Sequence, residues 1–138
     1  MSRTHISAEL RQLVRQRARL RCEYCLVPEL VGFFDFEVDH IIAQKHGGPT
    51  TPENLAWSCA LCNNRKGTDI ASIDPQTQAR AFLFHPRRDD WADHFTLEHG
   101  LLQPRTTVAR ATIHLLVLND PQVIEIRRML VQAGIAVD

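Results

Sequence analysis

The sequence predicts a single α+β domain over residues 1–138. Three features predict it. All four cysteines fall into two C-x-x-C pairs, Cys22/Cys25 and Cys59/Cys62. Residues 33–39 alternate apolar and acidic, the period of a half-buried strand. Helix-periodic runs open and close the chain, giving a core over about 7–70 with an N-terminal helix, and a supporting helical extension over about 71–138.

Each element follows from its residues. Residues 7–20 read as a helix: Ser7 can cap it, Glu9 lies in the first turn, and Leu10, Leu13, Val14, Ala18 and Leu20 recur near helical spacing. Arg11, Arg15 and Arg19 sit four apart on its other side, either a phosphate-facing stripe or a solvated face. Phe34, Phe36 and Val38 share one face of the strand and Asp35, Glu37 and Asp39 the other. His40 to Ala43 carries the strand onward until Gly47-Gly48-Pro49 breaks it. Thr51-Pro52 opens a short helical turn, Leu55 to Ser58 is a short strand, and Cys59 to Gly67 is a brief helix stopped by its glycine. In the extension, Phe82-Leu83-Phe84 is extended, and residues 91–97 lead into a strand pair turning at His99-Gly100. Residues 106–118 form one helix, and Pro121 starts another that ends before Gly134.

Composition narrows the function. Lys and Arg number 16 and so do Asp and Glu, with 44% hydrophobic residues. These values exclude a disordered chain and a protein that coats nucleic acid through bulk positive charge. The longest apolar stretch, near Ile113–Leu118, is too short to span a membrane, and no signal-peptide core follows Met1. The expectation is a cytoplasmic protein with no membrane partner. The neutral total is segregated: residues 1–21 carry +5, 22–62 carry −5, 63–88 carry +3 and 89–138 carry −3. An acidic block bracketed by basic ones suits a metal site flanked by phosphate contacts, although solvated helix faces give the same pattern.

Without a secretion signal, disulfides are disfavoured, and two knuckles put four thiolates within tetrahedral reach of one zinc. Unrelated thiols or a thioredoxin-type redox pair are the alternatives, but neither needs the doubled spacing. Four protein ligands close the shell, so this zinc would hold the fold and not activate water.

Between and around the knuckles the chain reads Cys22-Glu-Tyr-Cys25, Val38-Asp39-His40-Ile41-Ile42, Gly47-Gly48, Glu53-Asn54-Leu55 and Cys59-Ala-Leu-Cys62-Asn63-Asn64-Arg65-Lys66-Gly67. This stretch resembles the HNH endonuclease family. The resemblance implies a ββα-metal core, two antiparallel strands and a helix gripping a divalent cation, and metal-dependent cleavage of phosphodiester bonds in DNA. By position it makes His40 the general base, has Asn54 hold that histidine or its loop, and gives the catalytic metal to Asp39 and Asn63. Their oxygens favour Mg²⁺ or Mn²⁺. Many members carry histidine where Asn63 stands. Arg65 and Lys66 are expected to meet phosphates, with Arg15 and Arg19 of the first helix.

The residue types suit that chemistry. A neutral imidazole can take a proton from water near pH 7, and a hard cation can neutralise charge on the departing 3′-oxygen. Strict alternation, however, sends Asp39 and His40 to opposite faces, so both meet one site only if the strand bends or bulges there. The remaining histidines, His46, His85 and His94 among them, read as loop or packing residues. No base-reading element is visible, so a partner protein is a possible source of sequence selectivity. The rival reading is a non-catalytic four-cysteine module that binds nucleic acid or protein.

Overall fold

The computed structural model describes residues 5–135. Helix α1 (Ala8–Arg17) begins where Ser7 Oγ accepts the Leu10 amide at 3.1 Å. It ends three residues short of the expected boundary, because Arg19 and Leu20 take left-handed backbone conformations (φ 56° and 60°). The chain then turns into a bridge between Arg21 and Pro28 that brackets the first knuckle. Arg19 therefore lies off the helix, and the expected arginine stripe is broken. Val14 is buried against Leu55 and Trp57. The Arg11 guanidinium lies 4.9 Å from the centroid of the Trp57 ring, and Arg15 pairs with Glu29 at 2.8 Å.

Strands β1 (Phe36–His40) and β2 (Leu55–Cys59) pair antiparallel, with Val38 opposite Trp57 and His40 opposite Leu55. The strand does not continue to Ala43. Asn54 takes the Ile41 amide on its own carbonyl and diverts the chain into two one-turn 3-10 helices, Gln44–His46 and Pro52–Asn54. All five residues of β2 are buried, which marks it as the centre of the molecule. Helix α2 (Ala60–Lys66) follows at once, capped by the Cys59 sulfur and stopped by Gly67 at φ 54°. The two strands and α2 form the ββα unit.

The extension adds two hairpins and three helices. Strands β3 (Ala71–Ile73) and β4 (Arg80–Phe82) form the first hairpin. Of the expected extended segment 82–84, Phe82 ends β4, and Leu83 and Phe84 run on into the core, where the Phe84 amide donates to Thr112 Oγ1 at 2.8 Å. The short helix α3 (Trp91–His94) leads into the second hairpin, β5 (Phe95–Glu98) and β6 (Leu101–Pro104), which turns at His99-Gly100. Helices α4 (Thr107–Leu116) and α5 (Pro121–Gln132) close the fold, capped by Thr106 and Asp120. Among the described residues no helix is long and apolar enough to cross a membrane.

Two buried ion-bearing contacts lock the extension down. Asp74 is fully buried, and its carboxylate accepts from both Nε and Nη2 of Arg110 on α4. The Arg110 guanidinium holds that carboxyl well below the usual carboxylate range. Arg127 on α5 is also fully buried, and it donates to Gly100 O at 2.7 Å, Cys25 O at 2.8 Å and Leu118 O at 2.8 Å. One guanidinium thus joins the second hairpin, the first knuckle and the α4–α5 link. Arg127→Met leaves three buried carbonyls without donors, and is expected to cost about 3 kcal/mol or more in urea unfolding. A loss below about 1 kcal/mol contradicts this role.

Candidate active site and metal centre

The four cysteine sulfurs lie within 4.8 Å of one another and all four residues are buried. The local fold builds each pair. The amides of Tyr24 and Cys25 donate to Cys22 Sγ at 3.4 Å each, and the Cys62 amide donates to Cys59 Sγ at 3.5 Å. Cys25 Sγ and Cys59 Sγ are 3.7 Å apart. A tetrahedral zinc with bonds of about 2.3 Å sets its sulfurs about 3.8 Å apart, so the donor set fits one zinc.

The thiols carry the same message chemically. Hydrogen bonds from the neighbouring sulfurs push Cys25 and Cys62 well above their ordinary value. Burial opposes ionisation of Cys22, yet hydrogen bonds from Cys25, Cys59 and Cys62 hold it well below. Burial pushes the Arg127 guanidinium below its ordinary value, and the nearby Cys25, Cys62 and Cys22 oppose that shift. Cys59→Ser is expected to lose zinc, from one per chain, and to unfold, because binding and folding are coupled. Zinc loss with unchanged thermal stability contradicts that coupling.

His40 ends β1, half-buried, with Nε2 2.9 Å from Thr50 Oγ1. Its Nδ1 has no partner among the described residues. Burial and the nearby Lys66 charge lower the imidazole below its ordinary value, which keeps the ring neutral at pH 7. Asn54 is buried and binds the loop after His40, not the imidazole. Its Oδ1 accepts the Ile42 amide at 2.9 Å, and its Nδ2 donates to Ile42 O and Pro49 O at 2.9 Å each. Gly48 completes that loop, since a Cβ there would lie 1.7 Å from Ile42 O.

Asp39 stands apart from His40. The pairing stays in regular register through both residues, Asp39 opposite Ala56 and His40 opposite Leu55, so the strand has no bulge to bring them to one face. The Asp39 carboxylate points inward, 4% exposed. Tyr24 donates its hydroxyl to Oδ2 at 2.8 Å, and Lys66 Nζ lies 3.3 Å from Oδ1 and 3.2 Å from Oδ2. Lys66 Nζ also donates to His40 O at 3.2 Å. Burial pushes the Asp39 carboxyl up, against the pull of Lys66 and Tyr24. Asn63, half-buried on α2, has no side-chain hydrogen bond among the described residues.

The expected phosphate contacts are largely engaged inside the molecule. Lys66 is 2% exposed, an internal counter-ion and not a surface lysine, because β1 presents it with a buried carboxylate and a strand-end carbonyl. Arg65 donates to Leu116 O, Val117 O and Asp120, covering the open end of α4. Arg15 is held by Glu29. Arg19 alone of the four is exposed and without a partner among the described residues. Four contributing residues were not singled out from the sequence: Thr50 beside His40, Tyr24 beside Asp39, Arg127 beneath the knuckle, and Glu23. Glu23 accepts the Trp57 amide and pairs with Arg87. Only Tyr24 and Glu23 had a positional clue, sitting inside the C-x-x-C pair.

Asn54→Ala removes three hydrogen bonds that shape the loop, and the Ile42 amide is expected to exchange with solvent about tenfold faster or more. Unchanged exchange contradicts a loop-holding role.

No curated protein and no solved structure matches the chain. Residues 22–69, from the first cysteine of the first knuckle to just past α2, match the family model described as HNH endonuclease. They contain all four cysteines and the whole ββα unit. That stretch of the chain is similar to an HNH endonuclease domain.

Proposed function

We propose that this chain is a metal-dependent DNA endonuclease of the cytoplasm that hydrolyses phosphodiester bonds, with His40 as general base. The observation that carries the reading is the setting of His40 inside the stretch similar to an HNH endonuclease domain. It is a neutral, half-buried imidazole at the end of β1, with one ring nitrogen held by Thr50 and the other open. With Nε2 donating to Thr50 Oγ1, Nδ1 keeps its lone pair and can take the proton of a water molecule. Asn54 keeps the following loop from drifting, so the ring direction is fixed before substrate arrives.

Asp39 and Asn63 would hold the divalent cation. Their hard oxygens suit Mg²⁺ or Mn²⁺, which when bound supplies charge neutralisation at the scissile phosphate and leaving oxygen. Asp39 offers that ligand set a single negative charge. Lys45 and His46, both exposed on the loop between His40 and Asn54, and Arg19 beyond α1 are exposed basic groups near the site that can approach the DNA backbone. The four-cysteine zinc has a separate role, since its closed shell leaves no position for water or substrate.

One observation favours a second reading, a non-catalytic zinc module. Both Asp39 oxygens are already bonded, one to Tyr24 and both within reach of Lys66. Nicking of supercoiled plasmid in Mg²⁺ or Mn²⁺ separates the readings. The nuclease reading expects the wild type to nick, EDTA to stop it, and His40→Ala to lower the rate by about a hundredfold or more with zinc content unchanged. Equal cleavage by His40→Ala removes the base assignment, and absence of nicking with either metal favours the binding module.

A further inference from the structure

We propose that Lys66 is a resident counter-cation that occupies the metal side of Asp39 and is exchanged for the divalent ion when the site loads. The inference rests on the nuclease reading of Asp39 as a metal ligand, and it adds how access to that ligand is controlled.

Lys66 is 2% exposed and Asp39 4% exposed, and the ammonium reaches both carboxylate oxygens. A buried carboxylate without a cation is strongly disfavoured, so Asp39 needs a positive partner whenever the metal is absent. Lys66 provides it, and its third contact, His40 O, fixes the ammonium at the end of β1. A divalent ion that takes an Asp39 oxygen at about 2.1 Å cannot share that oxygen face with an ammonium at hydrogen-bond distance, since the two cations repel. The lysine must therefore move aside.

The fold has room for that movement. A cleft of about 230 Å³ opens beside Lys66, its charged lining made of Asp69, Asp89 and Arg88, with His85 and the apolar Ile41 and Ile42 beside them. Its apolar walls suit the lysine stem, and Asp69 and Asp89 give the ammonium an acidic destination. Tyr24 keeps its hydrogen bond to Oδ2 throughout, so the carboxylate stays aimed while its cation changes. Such an exchange makes apparent metal affinity the difference between two cations competing for one carboxylate.

The test measures binding directly, on the zinc-loaded full chain, by counting free Mn²⁺ in its electron paramagnetic resonance spectrum. Lys66→Met is expected to bind Mn²⁺ about tenfold more tightly or better, Lys66→Arg to stay near wild type, and Asp39→Asn/Lys66→Met to lose the gain. Unchanged or weaker Mn²⁺ binding by Lys66→Met overturns the proposal. A gain that survives Asp39→Asn also overturns it. Should Lys66→Met fail to retain zinc, the wild type decides. Its buried ¹⁵N-lysine ammonium signal is expected to lose protection from exchange as Mg²⁺ is added. A signal that persists throughout the titration overturns the exchange.

The two readings fail separately. Wild type that nicks DNA alongside unchanged Mn²⁺ affinity in Lys66→Met removes the exchange alone. Tighter Mn²⁺ binding by Lys66→Met in a protein that nicks nothing removes the nuclease reading alone.

Discussion

Four thiols packed within 4.8 Å of one another in a dry interior need a cation or shared protons between them. The rest of the fold depends on how that demand is met. One pair of thiols follows α1, and the other joins the end of β2 to the start of α2. A metal there fixes the relative position of every element of the ββα unit. The apolar cluster runs from these cysteines through Ala56 and Phe84 to Leu116 and Leu130, so the extension packs onto the same centre. Arg127 reinforces it by bonding the Cys25 carbonyl from the far end of the chain.

The acidic block seen in the sequence resolves into three fates. Glu23 and Glu29 brace β2, accepting the Trp57 amide and indole. Asp39 is sunk beside Lys66. Asp35, Glu37 and Glu53 remain exposed. The basic blocks flanking it are drawn inward as well, onto Glu29, Pro52 O, Leu55 O, Asp120 and Asp39. Zero net charge therefore reflects internal neutralisation as much as solvated faces. Arg19, Lys45, Arg80, Arg88 and Arg105 remain exposed as cations open to a polyanion.

The ββα unit was legible because its signals are local. Alternation over Phe36 to Asp39, proline at the start of the turn 52–54, and Gly67 after α2 each act within a few residues. The end of α1 was not legible, since the left-handed Arg19 and Leu20 serve a bridge across the knuckle that no periodicity records. Strand β3 is three residues long and exists only through its pairing with β4. Lys66 shows the same limit at the site. A basic residue at the end of a short helix reads as surface, and only the tertiary fold reveals that α2 turns it onto a buried carboxylate. The alternation rule, by contrast, was informative: Asp39 and His40 do point to different partners, Lys66 and Thr50.

In the proposed reaction, water deprotonated at His40 attacks the phosphorus and expels the 3′-oxygen. Cleavage in ¹⁸O-water followed by mass analysis of the new ends tests it most directly. The expected products are 3′-hydroxyl ends and 5′-phosphates that each carry one solvent oxygen. Products ending in 3′-phosphate, or 5′-phosphates without label, contradict it.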